Sequence, residues 1–205
     1  MGLRAQPIIL LTGFEPFGGR TINASWEAVR QLNGLAIDGA CVQSKELPVR
    51  WHGTAEMIID FIHTDKPILA VSVGEGGSTL SLEKYAHNRN YSIPDNAGKL
   101  PDSTRILSNA PSRFETSLDI VALSDVLTQE GVQHVISSDA GGYLCNFVSF
   151  HTYASIHTTQ PHVPALFVHV PPTSSSGDGV NISLVSQALT IILRQSMDQV
   201  AQHRT

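Results

Sequence analysis

A cysteine in this chain lies where its side chain could do covalent chemistry. The short apolar run 132-VQHVIS-137 leads into the glycine turn Asp139–Gly142, and Cys145 follows at the start of an amphipathic segment. Strand, turn and helix in this order predict a thiol at a helix N-terminus, where unpaired amides and the helix dipole favour the thiolate. Cys145 is therefore a candidate nucleophile. The alternative is a small buried cysteine that only packs at the start of the helix.

A histidine supplies the candidate base. His169 lies inside the apolar run 165-ALFVHV-170, which is typical of a buried strand. A polar ring in such a strand must be hydrogen-bonded or used in chemistry. A general base beside a thiol is one such use, and a core histidine with satisfied hydrogen bonds is the other.

Glu83 is the candidate orienting carboxylate. It lies in 79-TLSLEKYAHN-88, where apolar and polar residues alternate as in a strand. Carboxylates are seldom buried without a partner. Paired with His169, Glu83 would hold the ring in one tautomer and stabilise its charged form. Alternatively, Glu83 is an exposed charge on an edge strand that pairs with Lys84 or Arg89.

Four predicted strand ends carry glycines, aromatic residues or the two reactive side chains. They are 13-GFEPFGG-19, 74-GEGG-77, 139-DAGGYLC-145 and 169-HVPP-172. In open α/β sheets, ligands bind at the carboxyl ends of strands. The glycines would let a ligand approach the backbone, and the aromatics would supply apolar contact. We therefore expect the four segments to form one site.

The elements that must position these residues follow from hydrophobic periodicity. Predicted strands cover 7–12, 40–49, 68–73, 79–88, 132–137 and 165–170, and predicted helices cover 26–33, 51–65, 117–130, 145–160 and 180–202. Ser25 is the expected cap of the first helix, and a capping box from Thr116 to Asp119 opens the third. Strands that alternate with helices predict a three-layer α/β/α sandwich with a mostly parallel, mixed and twisted sheet.

The length of 205 residues predicts a single domain over 1–205. Segment 91–115 is rich in Pro, Asn, Ser and Gly and has little periodicity. A loop of that length inside a compact domain is usually functional, so we expect a long loop or an arm that covers something.

Composition narrows the function classes. The net charge of −5 argues against nucleic acid or an anionic membrane surface as the main partner. Apolar runs are too short to span a bilayer, and the N-terminus lacks a signal-peptide pattern. Two cysteines in a chain of this size indicate free thiols and a reducing, cytoplasmic setting. Metal and nucleotide motifs are missing from the sequence, so we expect no cofactor.

Several ordered motifs resemble those of the pyroglutamyl peptidase I family, the pyrrolidone carboxyl peptidases. The motifs are 11-LTGFEPFGG-19, 23-NASWEAV-29, 82-LEKYAHNRNY-91, 94-PDN-96, 139-DAGGYLCNF-147 and 167-FVHVPP-172. Together they span nearly the whole chain. The resemblance implies an α/β/α fold and a cytosolic cysteine peptidase that removes N-terminal pyroglutamate from peptides, as a dimer or tetramer.

The resemblance also implies roles for particular residues. Cys145 would be the nucleophile and would form a thioester, His169 the general base and acid, and Glu83 the residue that orients His169. The pyrrolidone ring would be held by aromatic side chains, namely Phe14, Phe17 and Tyr143.

One departure from the family pattern concerns recognition of the ring. Many members read Gly-Gln-Ala-Gly-Gly-Arg after the third strand, whereas this chain has Glu75 within 74-GEGG-77. If Glu75 lines the pocket, its carboxylate would alter lactam binding rather than the catalytic chemistry.

Two other function classes stay open from the residues alone. Related α/β/α sheets with glycine-rich strand ends serve phosphate-dependent enzymes, for which Arg20, Lys84 and Arg89 would be the cationic groups. A binding protein that has kept the fold without catalysis is the other. The complete set of Glu83, Cys145 and His169 argues against it.

Overall fold

The computed structural model describes residues 6–173 and 181–202. These residues form a seven-stranded sheet in the order β2-β3-β1-β4-β9-β5-β8 and a small β6-β7 sheet. The strands are β1 Ile8–Phe14, β2 Ala36–Ile37, β3 Ala40–Leu47, β4 Leu69–Glu75, β5 Leu80–Glu83, β6 Tyr85–His87, β7 Arg113–Glu115, β8 His134–Ser137 and β9 Ala165–Val170. The helices are α1 Ala24–Arg30, α2 Thr54–Asp65, α3 Ile120–Gln129, α4 Leu144–Thr159 and α5 Ile182–Gln202.

The large sheet is mixed and mostly parallel, as predicted. Strands β3, β1, β4 and β9 are parallel neighbours, whereas β2 and β5 run antiparallel to β3 and β9. Helices α1, α3 and α5 pack on one face of the sheet, and α2 and α4 pack on the other. Alternate residues of β1 serve both faces: Ile9 and Leu11 join the first cluster, and Leu10 joins the second. This explains why the strand sequences are apolar throughout.

Helix starts differ from the predictions where a neighbouring polar side chain takes the capping role. Asn23, not Ser25, caps α1, and its side chain accepts from the Ser25 backbone N–H at 2.9 Å. The Ser25 hydroxyl instead accepts from the Phe14 N–H at 3.0 Å and ties the helix to the end of β1. The predicted helix 51–65 begins only at Thr54, because Gly53 has φ +91° and interrupts the helical backbone.

The cap of the third helix, α3, also differs from the prediction. Asp119 caps α3 by accepting from Val121 and Ala122 N–H groups at 3.0 Å. Thr116 does not cap; its hydroxyl donates to the Ala165 carbonyl at 2.7 Å. For the last helix, Ile182 is the first helical residue described, and the predicted start at Val180 lies outside the described residues.

The predicted strand 79–88 is divided between the two sheets. It breaks at Lys84, whose N–H donates to Ser137 and whose C=O accepts from Thr116. Residues before Lys84 form β5, and those after it form β6 with β7 as partner. The sequence did not predict β2 or β7, because two- and three-residue strands show no periodicity. Residues 88–112 contain no helix or strand.

Strand β8, which precedes Cys145, lies at the edge of the sheet and runs opposite to β1, β4 and β9. Its Val135 and Ile136 are 47% and 41% exposed. Because β8 is parallel to β5 and β5 is antiparallel to β9, the carboxyl end of β8 points away from those of β1, β4 and β9. Residues 138–143 bring the chain back to the start of α4. The four predicted segments therefore do not all end at one edge of a parallel sheet.

Across residues 6–173 and 181–202, no helix has the length and apolar character that crossing a bilayer requires.

Candidate active site

Cys145 lies in the first turn of α4, directly over the end of β4. Tyr143 is the N-cap residue of this helix, with extended backbone and no side-chain cap. A Cβ atom on Gly74 would lie 2.7 Å from the Cys145 Sγ and 2.8 Å from the Phe167 ring. Only glycine therefore fits at position 74 beside the thiol.

His169 and Glu83 meet across the antiparallel pair β5-β9. Ser81 is the register partner of His169, and Glu83 lies two residues further along, on the same side of β5. This diagonal arrangement brings long side chains within reach of one another. The His169 Nδ1 and Glu83 Oε1 atoms are 2.8 Å apart. The Glu83 side chain is only 3% exposed, so its charge is paired inside the protein.

A second glycine makes room for the imidazole. A Cβ atom on Gly76 would lie 2.9 Å from Cδ2 and 3.3 Å from Nε2 of His169. Gly74 and Gly76 thus leave space for the thiol and the ring, respectively. The glycine content of 74-GEGG-77 reflects close approach of the two candidate catalytic side chains, in addition to any approach by a ligand.

The two groups beside the His169 ring, Cys145 and Glu83, favour its protonated form. Burial alone lowers the pKa of His169, but the negative charge of Cys145 and hydrogen bonds to Cys145 and Glu83 raise this pKa to about 10. With Nδ1 directed at Glu83, Nε2 is the ring atom left to face the thiol. The structure therefore brings Cys145, His169 and Glu83 together in the predicted order.

These residues open into a cavity of about 260 Å³. It is lined by Phe14, Phe17, Asn23, Val49, Glu75, Tyr91, Ala140, Gly141, Gly142, Tyr143, Leu144, Cys145 and His169. Phe14 is buried, whereas Phe17 and Tyr143 are half-buried. The Tyr143 ring meets Trp51 edge to face at 5.4 Å, and its hydroxyl donates to the Pro94 carbonyl at 3.1 Å. All three predicted aromatic residues, and all four predicted segments, contribute to the lining.

Glu75 also lines the cavity, but both of its oxygens already have partners. Oε2 accepts from the Ala24 N–H at 2.7 Å, and Oε1 pairs with the Arg20 guanidinium. Arg20 also donates to the Thr173 carbonyl. The pair therefore links the loop after β1, the end of β4 and the segment after β9.

Residues 88–112 form an arm that is anchored beside the cavity by buried polar side chains. Asn146, next to Cys145, accepts from the His87 N–H and donates to the His87 and Arg89 carbonyls at 2.8–3.0 Å. Asp95 accepts from the Trp51 N–H at 2.9 Å, and its other oxygen accepts from two N–H groups within the arm. The arm is thereby joined to both α4 and the segment before α2.

The sequence did not predict three cavity residues. Asn23 and Val49 are buried, and nothing in their local pattern distinguishes them from ordinary core positions. Tyr91 could have been selected as a candidate, because it is a large aromatic residue in a polar, aperiodic segment.

The cysteines form no disulfide, and the described acidic groups form no cluster of the kind that holds a metal ion. Cys41 and Cys145 are both free thiols, as predicted. Within the described ranges, no group of three or more His, Cys, Asp or Glu side chains is arranged to hold a metal ion.

Comparisons with known proteins identify the family. The family model for pyroglutamyl peptidases, Peptidase C15, matches residues 8–194. A pyrrolidone-carboxylate peptidase from Bacillus velezensis is 32% identical over 191 residues, covering 89% of each chain. The solved pyroglutamyl peptidase I from Bacillus amyloliquefaciens superposes with a TM-score of 0.86 at 30% identity, covering 93% of this chain and 94% of that one.

A more distant structure has the same fold. A mutant pyrrolidone carboxyl peptidase from Pyrococcus furiosus superposes with a TM-score of 0.88 at 28% identity, covering 94% of this chain and 99% of that one. The family model covers most of the chain, and a relative above 30% identity covers nearly all of it. This chain belongs to the pyroglutamyl peptidase family of cysteine peptidases.

Proposed function

We propose that this chain hydrolyses the amide bond after an N-terminal pyroglutamyl residue, with Cys145 as nucleophile. The observation that carries the proposal is the joined set of Cys145, His169 and Glu83 at the end of a small cavity with aromatic walls. Membership of a cysteine peptidase family supports it.

Recognition of pyroglutamate rests on the shape of the cavity. The residue has a compact lactam ring and no free amine, so an apolar slot suits it better than a charged one. Phe14 and Phe17 cover the ring faces, and Tyr143 closes the side next to α4. Backbone groups of the lining meet the lactam N–H and C=O. Because each oxygen of Glu75 already accepts from Arg20 or Ala24, we assign this residue a role in shaping the slot.

The first half of the reaction acylates the enzyme. The Cys145 thiolate attacks the carbonyl carbon that joins pyroglutamate to the next residue, and a tetrahedral oxyanion forms. The first-turn amides of α4 have no intrahelical partners and can donate to that oxyanion. Loss of one such donor typically costs about 3 kcal/mol in the barrier. As the C–N bond breaks, His169 gives its Nε2 proton to the leaving amine, which leaves a thioester on Cys145.

The second half of the reaction restores the enzyme. Neutral His169 takes a proton from water, and the resulting hydroxide attacks the thioester carbonyl. The C–S bond then breaks, pyroglutamic acid leaves, and the thiolate and imidazolium are regenerated. Glu83 holds Nδ1 throughout, so the ring keeps Nε2 toward the thiol.

The charges near the site disfavour the phosphate-dependent alternative. That function needs free cations at the loops, but the three cationic residues named for it have carboxylate partners. Arg20 pairs with Glu75, Lys84 with Glu115, and Arg89 with Asp139.

We further propose a cytoplasmic setting and peptide partners. Support comes from the free thiols and from the need to keep Cys145 reduced. Peptides with an N-terminal pyroglutamyl residue are the proposed substrates, and the negative net charge argues against nucleic acid or an anionic membrane surface as a partner.

Residues 1–205 act as one peptidase domain. Assembly into a dimer or tetramer follows from the family resemblance, and light scattering of the purified chain tests it.

The direct experiment is release of a fluorophore from pyroglutamyl-aminomethylcoumarin. We expect turnover without added phosphate and loss of turnover after iodoacetamide. Prolyl-aminomethylcoumarin, which has a similar ring but a charged amine and no lactam carbonyl, is the matched control and should not be cleaved. Turnover that depends on phosphate, or binding without turnover, would contradict the proposal.

A further inference from the structure

One cavity residue differs from the rest in its exposure. Of the thirteen described residues that line the cavity, only Tyr91 is exposed, at 44%. Phe14, Asn23, Val49 and Leu144 are at most 2% exposed. The cavity thus has a buried end, which suits the pyroglutamyl ring, and an open side that the Tyr91 ring borders.

Tyr91 is held firmly against the turn that precedes the nucleophile. Its N–H donates to the Gly142 carbonyl at 2.6 Å. A Cβ atom on Gly142 would lie within 2.5–2.8 Å of three Tyr91 ring atoms, so the ring packs directly on the turn backbone. The guanidinium of Arg89 lies 5.4 Å from the ring centroid. A large ring fixed in this way loses little entropy when it binds a partner.

The arm near the ring carries an exposed apolar residue and an ion pair whose two charges balance. Ile93, two residues along the arm, is 43% exposed. Arg89 is paired with Asp139 and also donates to the Gly141 carbonyl, so its charge is already balanced. Nothing in this group of side chains favours an acidic or basic ligand.

We infer that Tyr91 binds the side chain of the residue that follows pyroglutamate, and that an aromatic or large aliphatic residue is favoured there. This inference rests on the proposed function. With the pyroglutamyl ring at the buried end and its carbonyl at Cys145, the rest of the peptide must leave through the open side, along Tyr91. Aromatic contacts of this kind favour a large residue over glycine by roughly tenfold in kcat/KM.

The test compares two substrates, pyroglutamyl-phenylalaninamide and pyroglutamyl-glycinamide, and measures kcat/KM for each by amine release. In the unaltered protein we expect the phenylalanine substrate to be favoured roughly tenfold. Tyr91→Ala should bring the ratio close to one, and Tyr91→Phe should keep it because the ring remains. Ile22→Ala is the matched control, since Ile22 is 42% exposed but does not line the cavity; it should leave the ratio unchanged.

Two results would overturn the inference. One is an unchanged ratio in Tyr91→Ala. The other is an equal loss of kcat/KM for both substrates, which would assign Tyr91 only a packing role against Gly142. In both cases the glycine substrate is still cleaved, so the proposed function stands. Failure of the unaltered protein to cleave either substrate would instead contradict the proposed function.

Discussion

At the scale of single residues, the reactivity that we propose for Cys145 depends on its neighbours. Free thiols are common at buried positions and mostly inert. Here the imidazole of His169 lies beside the thiol, and Glu83 lies on the far side of that ring. The Glu83 carboxylate and the Cys145 charge both favour the protonated ring. The His169 ring can therefore be protonated at neutral pH.

Glu83, together with Cys145, raises the pKa of His169, and we expect this pKa to set the upper pH limit of the proposed reaction. Burial lowers the pKa of His169, but Cys145 and Glu83 raise it to about 10, so the imidazolium is kept below that pH and lost above it. In Glu83→Gln the hydrogen bond to Nδ1 can persist while the charge is removed. We expect the alkaline limb of the kcat/KM profile to move to lower pH, with a fall in kcat of roughly tenfold or more at neutral pH.

Glu115→Gln is the matched control for this measurement. It also removes a glutamate charge close to β5, but Glu115 is more than half exposed and pairs with Lys84. Its pH profile should follow that of the unaltered protein. An alkaline limb that stays in place in Glu83→Gln would show that Glu83 does not act on His169.

At the scale of elements, the arm at 88–112 stabilises the wall of the cavity. Asp95 accepts three backbone N–H groups, one of them from Trp51, whose ring packs on Tyr143. Burial works to raise the pKa of Asp95, but hydrogen bonds from Trp51, Lys99 and Ala97 outweigh it and hold the pKa below its usual value. A depressed pKa contributes stability above the ordinary value of about 4 and loses it as the pH falls.

Asp95→Ala tests this anchoring role. We expect the free energy of unfolding to fall by about 1–3 kcal/mol, because the Trp51 N–H loses its buried acceptor. KM for a pyroglutamyl substrate should rise, since the Tyr143 wall loosens. Asp102→Ala, in the same arm, removes a carboxylate that is 86% exposed and should change neither quantity. Equal effects of the two variants would rule out a specific role for Asp95.

Arg20 and Glu75 join the loop after β1, the end of β4 and the segment after β9. Glu75→Gln can still accept from the Ala24 N–H but no longer pairs with a charge. We expect KM to rise severalfold while kcat changes little, because the pair positions the Phe17 loop and does not touch the reacting atoms. A double-mutant cycle with Arg20→Met should show strong coupling between the two side chains. If the effects of the Glu75 and Arg20 substitutions on KM were additive, the two side chains would not act as a pair.

Regular elements were predictable where periodicity was long, and the exceptions have physical causes. The apolar runs of β1, β4 and β9 indicated their positions directly. The segment after Cys145 was expected to be an amphipathic helix; α4 is helical, but most of its residues are buried, so it is not amphipathic. The break at Lys84 was not visible, because the alternating pattern continues through it while the hydrogen-bond partner changes from one sheet to the other. The helix caps differ from the predicted ones because the Ser25 and Thr116 side chains bond to backbone groups distant in sequence.

At the scale of the whole molecule, the fold assembles a site from distant parts of the sequence. Cys145, His169 and Glu83 were predictable as candidates, because each is chemically unusual in its segment and together they match a family pattern. Glu83 and His169 are in contact because β5, like β8, runs opposite to the parallel strands, and β5 pairs with β9. Tyr91 could not be assigned from the sequence, because the arm that carries it has no regular structure to place its side chain.

Paired cysteine substitutions test whether Cys145 forms the acyl-enzyme. Cys41 is also a free thiol, but it lies in β3 and does not line the cavity. We expect Cys145→Ala to abolish release of aminomethylcoumarin from the pyroglutamyl substrate while the melting temperature is retained, and Cys41→Ala to keep full turnover. Turnover that persists in Cys145→Ala would contradict the account.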